Sequence, residues 1–542
     1  MKISIAQLNY LIGDFSKNTG LITDAIDKAK KEGADLVLFS ELSVCGCPPF
    51  DLLKRDYFIQ KCENAVDAIA KKCDGITAVI GAPTRNNTSG KKPFNSALAV
   101  SDDKIVFSTS KSAINPLGSH NEQKYFESNN HLVLFEFKGK RIAITINEDL
   151  LQDKSSTNSF NKLLIKKIIK LNPDLIVNIA AIPFSHTEIE SRTQLFCDVA
   201  KKCGVPVIMV NQTGANTDLI YEGGSMIINK DGRVVKRLPF FEEAIFTFDL
   251  EKCLKETKTV EPQYNHIALM HDAIVLGIRD YFKKTGLKSA VLGLSGGIDS
   301  AIVLCLAVKA IGNKNVRAVL MPSRYSSDHS IKDSVDLANN LNIQYDIVSI
   351  EKPFSAFEDI LAPLFTGRET DITEEYIQAR SRAVILMAIS NKFGNMLLNT
   401  SNKSEAAVGY GTLYGDMAGG LSVIGDVYKT DVYRLSRYVN REKEIIPENI
   451  LTKKPSAELH PDQFDSDSLP DYAILDSILF QYLEQEKSAD QITGENIDKA
   501  TVDRVIKMVN RNEHKRHQFA PILRVSSKPF GKDRLLPLVG RL

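Results

Sequence analysis

The sequence lacks an excess of either charge, and it lacks the features of an exported or membrane protein. It has 68 Lys and Arg residues against 67 Asp and Glu, a formal net charge of +1, so no bulk attraction draws it to nucleic acid or to an anionic membrane. No run of about 18 apolar residues is present that could span a bilayer. The N-terminus, Met1 to Ile5, runs into an apolar strand pattern without the charged region or cleavage site of a signal peptide. We therefore expect a cytoplasmic protein with neither a nucleic-acid nor a membrane partner.

The eight cysteines lack the paired spacing of a metal site. They stand at positions 45, 47, 62, 73, 197, 203, 253 and 305, without a repeated C-x-x-C pattern. Reduced thiols in ordinary packing are the simplest interpretation, including for Cys45 and Cys47, which flank a single glycine.

A chain of 542 residues is too long for one ordinary hydrophobic core, so we expect two domains. Short apolar runs alternate with amphipathic stretches, a pattern typical of layered α/β domains. The strands predicted in the first half cover residues 2–8, 35–39, 77–80, 104–108, 132–137, 141–146, 174–178 and 206–210. After a polar stretch that contains Pro262, a second α/β unit opens with a predicted helix over 267–284 and a strand over 290–293. These patterns predict domains over residues 1–250 and 265–542, joined by a linker over 251–264.

The strongest motif lies near the start of the second unit, where a strand, a small-residue turn and an apolar helix follow one another. The run VLGLSGGIDS, residues 291–300, places backbone N–H groups and a helix N-terminus around an anion, and Ser295 and Ser300 add hydroxyl donors. The lysine of a Walker A loop is missing, and Asp299 stands nearby instead. An acid beside a phosphate cradle implies a metal ion, whereas a tight turn without a ligand is the alternative for an isolated Gly-Gly pair.

This loop resembles that of enzymes that cleave ATP between its α and β phosphates, among them NAD, GMP and asparagine synthetases and some tRNA-modifying enzymes. Six further strings, in family order, are similar to NAD+ synthetases. They are MPSRYSS at 321–327, IQARSR at 377–382, NTSNKSE at 399–405, GYGTLYGD at 409–416, GDVYKT at 425–430 and KPSAEL at 454–459. The resemblance implies a doubly wound parallel-sheet domain of the ATP pyrophosphatase type. It implies amidation of deamido-NAD+ through an adenylated nicotinate carboxylate, with release of AMP and pyrophosphate.

The resemblance also implies roles for individual residues. ATP is expected to bind Gly293, Leu294, Ser295, Gly296, Gly297, Ile298, Asp299, Ser300, Thr400, Lys429 and Ser456. Deamido-NAD+ is expected to bind Tyr376, Arg380, Glu405, Asp416 and Lys515. Asp299 and Glu405 are the expected Mg2+ ligands. Tyr376 stands where the family has asparagine, and solvated surface charge is the alternative for Arg380 and Lys515.

The first half resembles the nitrilase superfamily, an αββα sandwich in which glutamate is the general base, lysine stabilises the oxyanion and cysteine attacks an amide. Glu41 and Lys111 each follow a predicted strand and match the glutamate and the lysine of that family. The cysteine expected after the strand at 141–146 is Asn147. A carboxamide cannot become a thiolate or carry an acyl group.

Two neighbouring segments also depart from glutamine-dependent relatives, because NPLG at 115–118 lacks a tyrosine and NIAAIP at 178–183 lacks serines. We therefore predict an inactive glutaminase-type domain and a homo-oligomeric synthetase that uses ATP, Mg2+ and ammonia rather than glutamine. Glutamine use through an unrecognised nucleophile and amidation of nicotinate mononucleotide remain alternatives. A tRNA-modifying enzyme and a decayed scaffold are more distant ones.

Overall fold

The computed structural model describes every residue except 87, 89, 115–120, 130, 151–158, 257–263, 533 and 540–542. The chain divides into two compact units, Met1–Tyr264 and Asn265–Leu542. Within the described ranges, no helix is both long enough and apolar enough to cross a membrane.

The described part of the first unit contains two six-stranded sheets and a two-stranded ribbon. Its strands are β1 Lys2–Gln7, β2 Leu36–Leu38, β3 Thr77–Thr84, β4 Phe94–Ser101, β5 Lys104–Ser110, β6 Leu134–Phe137, β7 Lys140–Ile146, β8 Leu175–Ala180, β9 Val207–Asn211, β10 Thr213–Asn216, β11 Leu219–Glu222, β12 Met226–Ile228, β13 Val234–Arg237 and β14 Ala244–Asp249. Its helices are α1 Phe15–Lys31, α2 Asp56–Ala70, α3 Ser159–Leu171, α4 Ile189–Cys203 and α5 Leu250–Leu254. The sheet orders are β14-β1-β2-β3-β4-β5 and β13-β12-β9-β8-β7-β6.

Side-chain alternation along the strands produces the layers of this unit. In β2, Leu36 and Leu38 lie in the core between the two sheets, while Val37 packs in the layer under α1 and α2. Helices α3 and α4 cover the outer face of the other sheet through a separate apolar cluster. The unit is the αββα sandwich that the resemblance implies, and all eight strands predicted in the first half are present with small differences at their ends.

The second unit is built on one parallel sheet. Its strands are β15 Ala290–Gly293, β16 Val316–Leu320, β17 Gln344–Ile347, β18 Met396–Asn399 and β19 Leu421–Ser422. Its helices are α6 His266–Thr285, α7 Ile298–Ile311, α8 Asp328–Asn340, α9 Glu351–Leu361, α10 Ile372–Phe393, α11 Lys403–Val408, α12 Lys429–Val439, α13 Glu448–Thr452, α14 Tyr472–Leu479, α15 Lys499–Arg511 and α16 Glu513–Arg516. The order β17-β16-β15-β18-β19 reverses direction between β15 and β18, and ligands of such sheets bind beyond the carboxyl ends of the strands at that point.

The segment predicted as a linker is helical at its start. Helix α5 covers Leu250–Leu254, and the Asp249 side chain caps it by accepting a hydrogen bond from the Lys252 N–H at 3.0 Å. Residues 257–263 lie outside the described residues. Asn265 then caps α6 through the Ala268 N–H at 3.1 Å, so an N-cap begins the second unit.

Candidate functional sites

The turn between β15 and α7 lies at the switch point of the parallel sheet. Its backbone N–H groups and the N-terminus of α7 form a cradle suited to a phosphate. The hydroxyl of Ser300 donates to the Gly297 carbonyl at 3.0 Å and accepts from the Ser295 N–H at 3.3 Å. The Ser295 hydroxyl accepts from the Gly297 N–H at 3.2 Å. The two serines therefore brace the loop from within.

A cavity of about 570 Å³ opens beside this loop. The predicted ligand-binding residues that line it are Gly293, Leu294, Ser295, Gly297, Ile298, Asp299, Ser300, Thr400, Glu405, Asp416, Lys429 and Ser456. Gly296 is not among these lining residues. Its φ is 79°, and a Cβ there would lie 2.5 Å from the Ser330 carbonyl oxygen, so only glycine lets the loop and the start of α8 approach this closely.

Two carboxylates meet one amine in the lining of this cavity. Lys429 Nζ donates to Asp299 Oδ2 at 2.5 Å and to Glu405 Oε1 at 3.3 Å. Burial raises the pKa of Glu405 to about 8, although the Lys429 charge opposes the rise. Burial also disfavours the charge of Lys429, but the two carboxylates outweigh it and raise the pKa of this amine above its usual range. Asp299 and Glu405 share the single positive charge of Lys429, so the group carries an excess of negative charge when both acids are ionised. This excess favours the binding of a further cation or the uptake of a proton.

A second charged cluster lies inside the first unit and is centred on Lys111, whose side chain is fully buried. Lys111 Nζ lies 3.1 Å from Glu41 Oε1 and 2.7 Å from Glu122 Oε1, and it also pairs with the Glu148 carboxylate. Burial raises the pKa of Glu41, and it raises the pKa of Glu122 to about 8. A single buried amine does not balance the carboxylates around it, so the cluster favours the protonated forms of Glu41 and Glu122.

Glu41 is held on both of its oxygens. Asn95 Nδ2 donates to Oε1 at 2.7 Å, and the Ala181 N–H donates to Oε2 at 3.0 Å. The carboxylate is thereby fixed in direction as well as in position. This is the orientation that a general base requires.

Asn147 begins the 3-10 turn that follows β7, in a left-handed conformation with φ of 43°. Asp149 fixes this turn, because its carboxylate accepts from the N–H groups of Ser112 at 2.9 Å, Ala113 at 2.8 Å and Ile146 at 2.9 Å. The Asn147 residue is 5% exposed, and its side-chain oxygen accepts no hydrogen bond within the described structure. The hydrogen bonds that hold the turn are therefore in place, whereas the side-chain oxygen of Asn147 does not take part in them.

Each half of the chain matches a known protein family, and proteins that contain both halves are known. The NAD synthase family model matches residues 270–519, and the carbon-nitrogen hydrolase model matches residues 2–258. The glutamine-dependent NAD(+) synthetases of Synechocystis sp. and Acinetobacter baylyi are 40% and 38% identical, each over 99% of this chain and 98% of their own. The chain belongs to the glutamine-dependent NAD+ synthetase family.

Solved structures agree with this assignment. A glutamine-dependent NAD+ synthetase from Acinetobacter baumannii, in complex with ADP, is 34% identical with a TM-score of 0.79, covering 99% of this chain and 98% of that one. One from Cytophaga hutchinsonii is 21% identical with a TM-score of 0.85, covering 100% of this chain and 98% of that one, and it shares the fold. ATP use by this NAD+ synthetase follows from its family.

Three residues predicted to bind the second substrate of the synthetase do not line the cavity but cluster together. Lys515 Nζ and the Arg380 guanidinium lie 5.9 Å and 5.5 Å from the centroid of the Tyr376 ring. Lys515 Nζ also donates to the carbonyls of Gly409 and Gly411, both at 2.7 Å. Solvated surface charge is therefore a poor description of Lys515, because the loop that leads to Asp416 holds it in place.

Three contributors were given no role from the sequence: Arg382 and Asn402 belong to the NAD+ synthetase site, and Glu122 belongs to the Lys111 cluster of the first unit. Arg382 lines the cavity, and its Nε donates to the Met321 carbonyl at 3.1 Å, with burial lowering its pKa to about 10. Asn402 bonds to Asp299, and Glu122 bonds to Lys111. The IQARSR and NTSNKSE strings contain the first two, so their neighbours in those strings were the available signal. Nothing in the local sequence distinguishes Glu122. The NPLG segment at 115–118 lies outside the described residues.

Proposed function

We propose that this NAD+ synthetase takes its nitrogen from free ammonia rather than from glutamine hydrolysed by its own first unit. The reaction is ATP-dependent amidation of deamido-NAD+ to NAD+. A carboxylate does not form an amide directly at neutral pH, so its oxygen is first converted into a leaving group. The carboxylate attacks the α-phosphorus of ATP and pyrophosphate departs; ammonia then attacks the adenylated carbonyl, AMP departs, and one proton of the ammonia is lost.

The cavity of the second unit supplies positive potential where pyrophosphate would leave. The loop from Gly293 to Ser300 offers backbone N–H groups and a helix N-terminus, and Thr400, Lys429 and Ser456 line the same space. Groups preorganised in this way stabilise charge that develops in the transition state. Arg382 adds a guanidinium to this lining, and we assign it to the phosphates or to the nicotinate carboxylate.

The pair Asp299 and Glu405 fits a Mg2+ ion that binds together with ATP. Within the described residues, no group of three or more His, Cys, Asp and Glu side chains could hold a metal by itself. Mg2+ in phosphate-transferring sites uses one or two carboxylates and takes its other ligands from phosphate and water. Both carboxylates already meet one cationic group, Lys429 Nζ. When bound, Mg2+ would neutralise charge on the departing pyrophosphate.

Deamido-NAD+ is assigned to the surface formed by Asp416 and the cluster of Tyr376, Arg380 and Lys515. We propose that a second copy of the chain completes this surface. Helices α9 and α10, the second of which carries Tyr376 and Arg380, expose large apolar side chains at Phe357, Ile360, Ile372, Val384, Met387 and Phe393. Such a patch on neighbouring helices is typical of an interface between subunits.

The observation that carries the ammonia proposal is Asn147, which stands in the frame of a nitrilase site in place of its nucleophile. Glu41 and Lys111 lie in contact, yet the side chain at the turn after β7 has no thiol. Cys45 and Cys47 are poor substitutes, because both are buried and burial raises the pKa of each thiol well above its usual range.

The test compares nitrogen donors in NAD+ formation by the full-length chain with deamido-NAD+, ATP and Mg2+. Ammonium chloride is expected to support steady turnover, while glutamine at equal concentration supports none and yields no glutamate. Asp299→Ala is the control that should abolish product with ammonium. Turnover on glutamine that survives removal of contaminating ammonium would overturn the donor assignment. Absence of product with either donor would point to nicotinate mononucleotide, which is then supplied as the substrate.

A further inference from the structure

Asn402 lies between the two carboxylates of the synthetase site and is completely buried. It follows the end of β18 and is the N-cap residue of α11, the helix that carries Glu405. Its side chain is a carboxamide, which has one accepting oxygen and one donating nitrogen.

Both halves of this carboxamide are used. Asn402 Oδ1 accepts from the Glu405 N–H at 3.0 Å, and Asn402 Nδ2 donates to Asp299 Oδ1 at 2.9 Å. The other oxygen of Asp299 and the Glu405 carboxylate meet at Lys429 Nζ. A closed ring of contacts therefore runs from Asn402 through Asp299, Lys429 and Glu405 back to Asn402.

We propose that Asn402 is a positioning residue that sets the direction of the Asp299 carboxylate and, through α11, its distance from Glu405. A carboxylate can turn about its Cβ–Cγ bond. Because the neutral amide of Asn402 holds Oδ1 of Asp299, only Oδ2 faces a cation that lies between Asp299 and Glu405. Groups that orient a metal ligand in this way influence metal affinity by about 10- to 100-fold. The inference rests on the proposed role of Asp299 and Glu405 as Mg2+ ligands.

Serine separates the two tasks of Asn402. Serine caps a helix about as well as asparagine does, but the shorter side chain has no amide to place on Asp299. Asn402→Ser therefore keeps the cap and removes the contact, whereas Asn402→Ala removes both. Asn265→Ser is the matched control, because Asn265 caps α6 through the Ala268 N–H and is not part of the cavity lining.

The experiment measures binding of Mn2+ to the full-length chain by electron paramagnetic resonance, in the presence of an ATP analogue with a methylene group between the α and β phosphates. Asn402→Ser and Asn402→Ala are expected to bind Mn2+ about 10- to 100-fold more weakly than the unsubstituted chain. Asn402→Ala should lower the melting temperature further than Asn402→Ser does, because it also removes the helix cap, and Asn265→Ser should change neither value. In turnover, the Asn402→Ser variant should raise the KM for Mg2+ while leaving the KM for ammonium unchanged.

Unchanged Mn2+ affinity in Asn402→Ser would overturn the proposal and leave Asn402 as a cap only. Asp299→Ala distinguishes this failure from a deeper one. If Asp299→Ala weakens Mn2+ binding while Asn402→Ser does not, the positioning role alone is wrong. If neither variant weakens Mn2+ binding, the assignment of the metal to Asp299 is also wrong.

Discussion

Replacement of Glu122 by glutamine should make the protein more stable at alkaline pH relative to the unsubstituted chain, even though it removes a partner of a buried lysine. Burial raises the pKa of Glu122 from 4.5 to about 8. A group whose pKa is raised by folding contributes stability below its unfolded pKa and loses it as the pH rises through its folded pKa. The unsubstituted chain should therefore lose stability between pH 4.5 and pH 8.

The size of this loss follows from the pKa values. Each pKa unit corresponds to about 1.4 kcal/mol, so the rise from 4.5 to about 8 corresponds to at most about 5 kcal/mol. Glu41 and Glu148 share the same amine and compete for the proton, so we expect about 2 to 5 kcal/mol. Glutamine keeps an oxygen for Lys111 Nζ, which lies 2.7 Å from Glu122 Oε1, and it does not ionise. The difference between Glu122→Gln and the unsubstituted chain should accordingly grow in favour of the variant as the pH rises.

The assay is urea unfolding of the full-length chain at intervals between pH 4.5 and pH 8.5. Glu136→Gln is the matched control, because it makes the same replacement at an exposed position on β6, outside the Lys111 cluster. An effect of Glu122→Gln that is destabilising by the same amount at every pH would refute the reasoning. It would mean that Glu122 is ionised beside Lys111 throughout, as in an ordinary ion pair.

Three further outcomes follow from the two sites. Lys429→Met should lower kcat for NAD+ formation at least about 100-fold, because it leaves two buried carboxylates without their amine; a rate near normal would contradict the role given to this lysine. Asp149→Ala should cost about 3 to 5 kcal/mol in urea unfolding, since three backbone N–H groups lose their acceptor, and a cost below about 1 kcal/mol would show that the turn does not depend on it. Asn147→Ala should leave the ammonium-supported kcat/KM unchanged, whereas a large fall would show that this carboxamide takes part in the synthesis of NAD+.

The fold could be predicted where the sequence pattern is long or carries a motif. Strands β1, β7 and β8 are apolar runs bounded by polar residues, and β15 is marked by the loop that follows it. Strands β10 to β13 are only three or four residues long, and so short a pattern cannot be separated from that of a loop. β4 was missed because it contains small residues, among them Ala97 and Ala99, whose burial depends on the sheet that faces them.

In the candidate sites too, residues within a recognisable string could be predicted, whereas residues that act through distant contacts could not. Asp299 and Glu405 belong to strings that follow β15 and include the end of β18, two neighbouring strands of the parallel sheet. The carboxyl ends of these strands meet at one edge of the sheet, so the sequence could predict that both residues lie near the same cavity. Asn402 lies in one of these strings, but its contact with Asp299 spans 103 residues and is not marked in it. Glu122, 11 residues from Lys111, lies in no such string. The charge shared among Lys111, Glu41 and Glu122 arises only in the folded chain, because the turns that carry Glu41 and Glu122 and the end of β5 meet there.

The source of the amide nitrogen tests the central claim most directly. The full-length chain would turn over deamido-NAD+ and ATP with equal concentrations of unlabelled ammonium and glutamine labelled with 15N in its side-chain amide, and the isotope in the nicotinamide of the product NAD+ would be read by mass spectrometry. The account predicts NAD+ that carries only unlabelled nitrogen. Incorporation of 15N above the level that spontaneous glutamine hydrolysis supplies would contradict it, because the first unit would then be delivering ammonia in spite of Asn147.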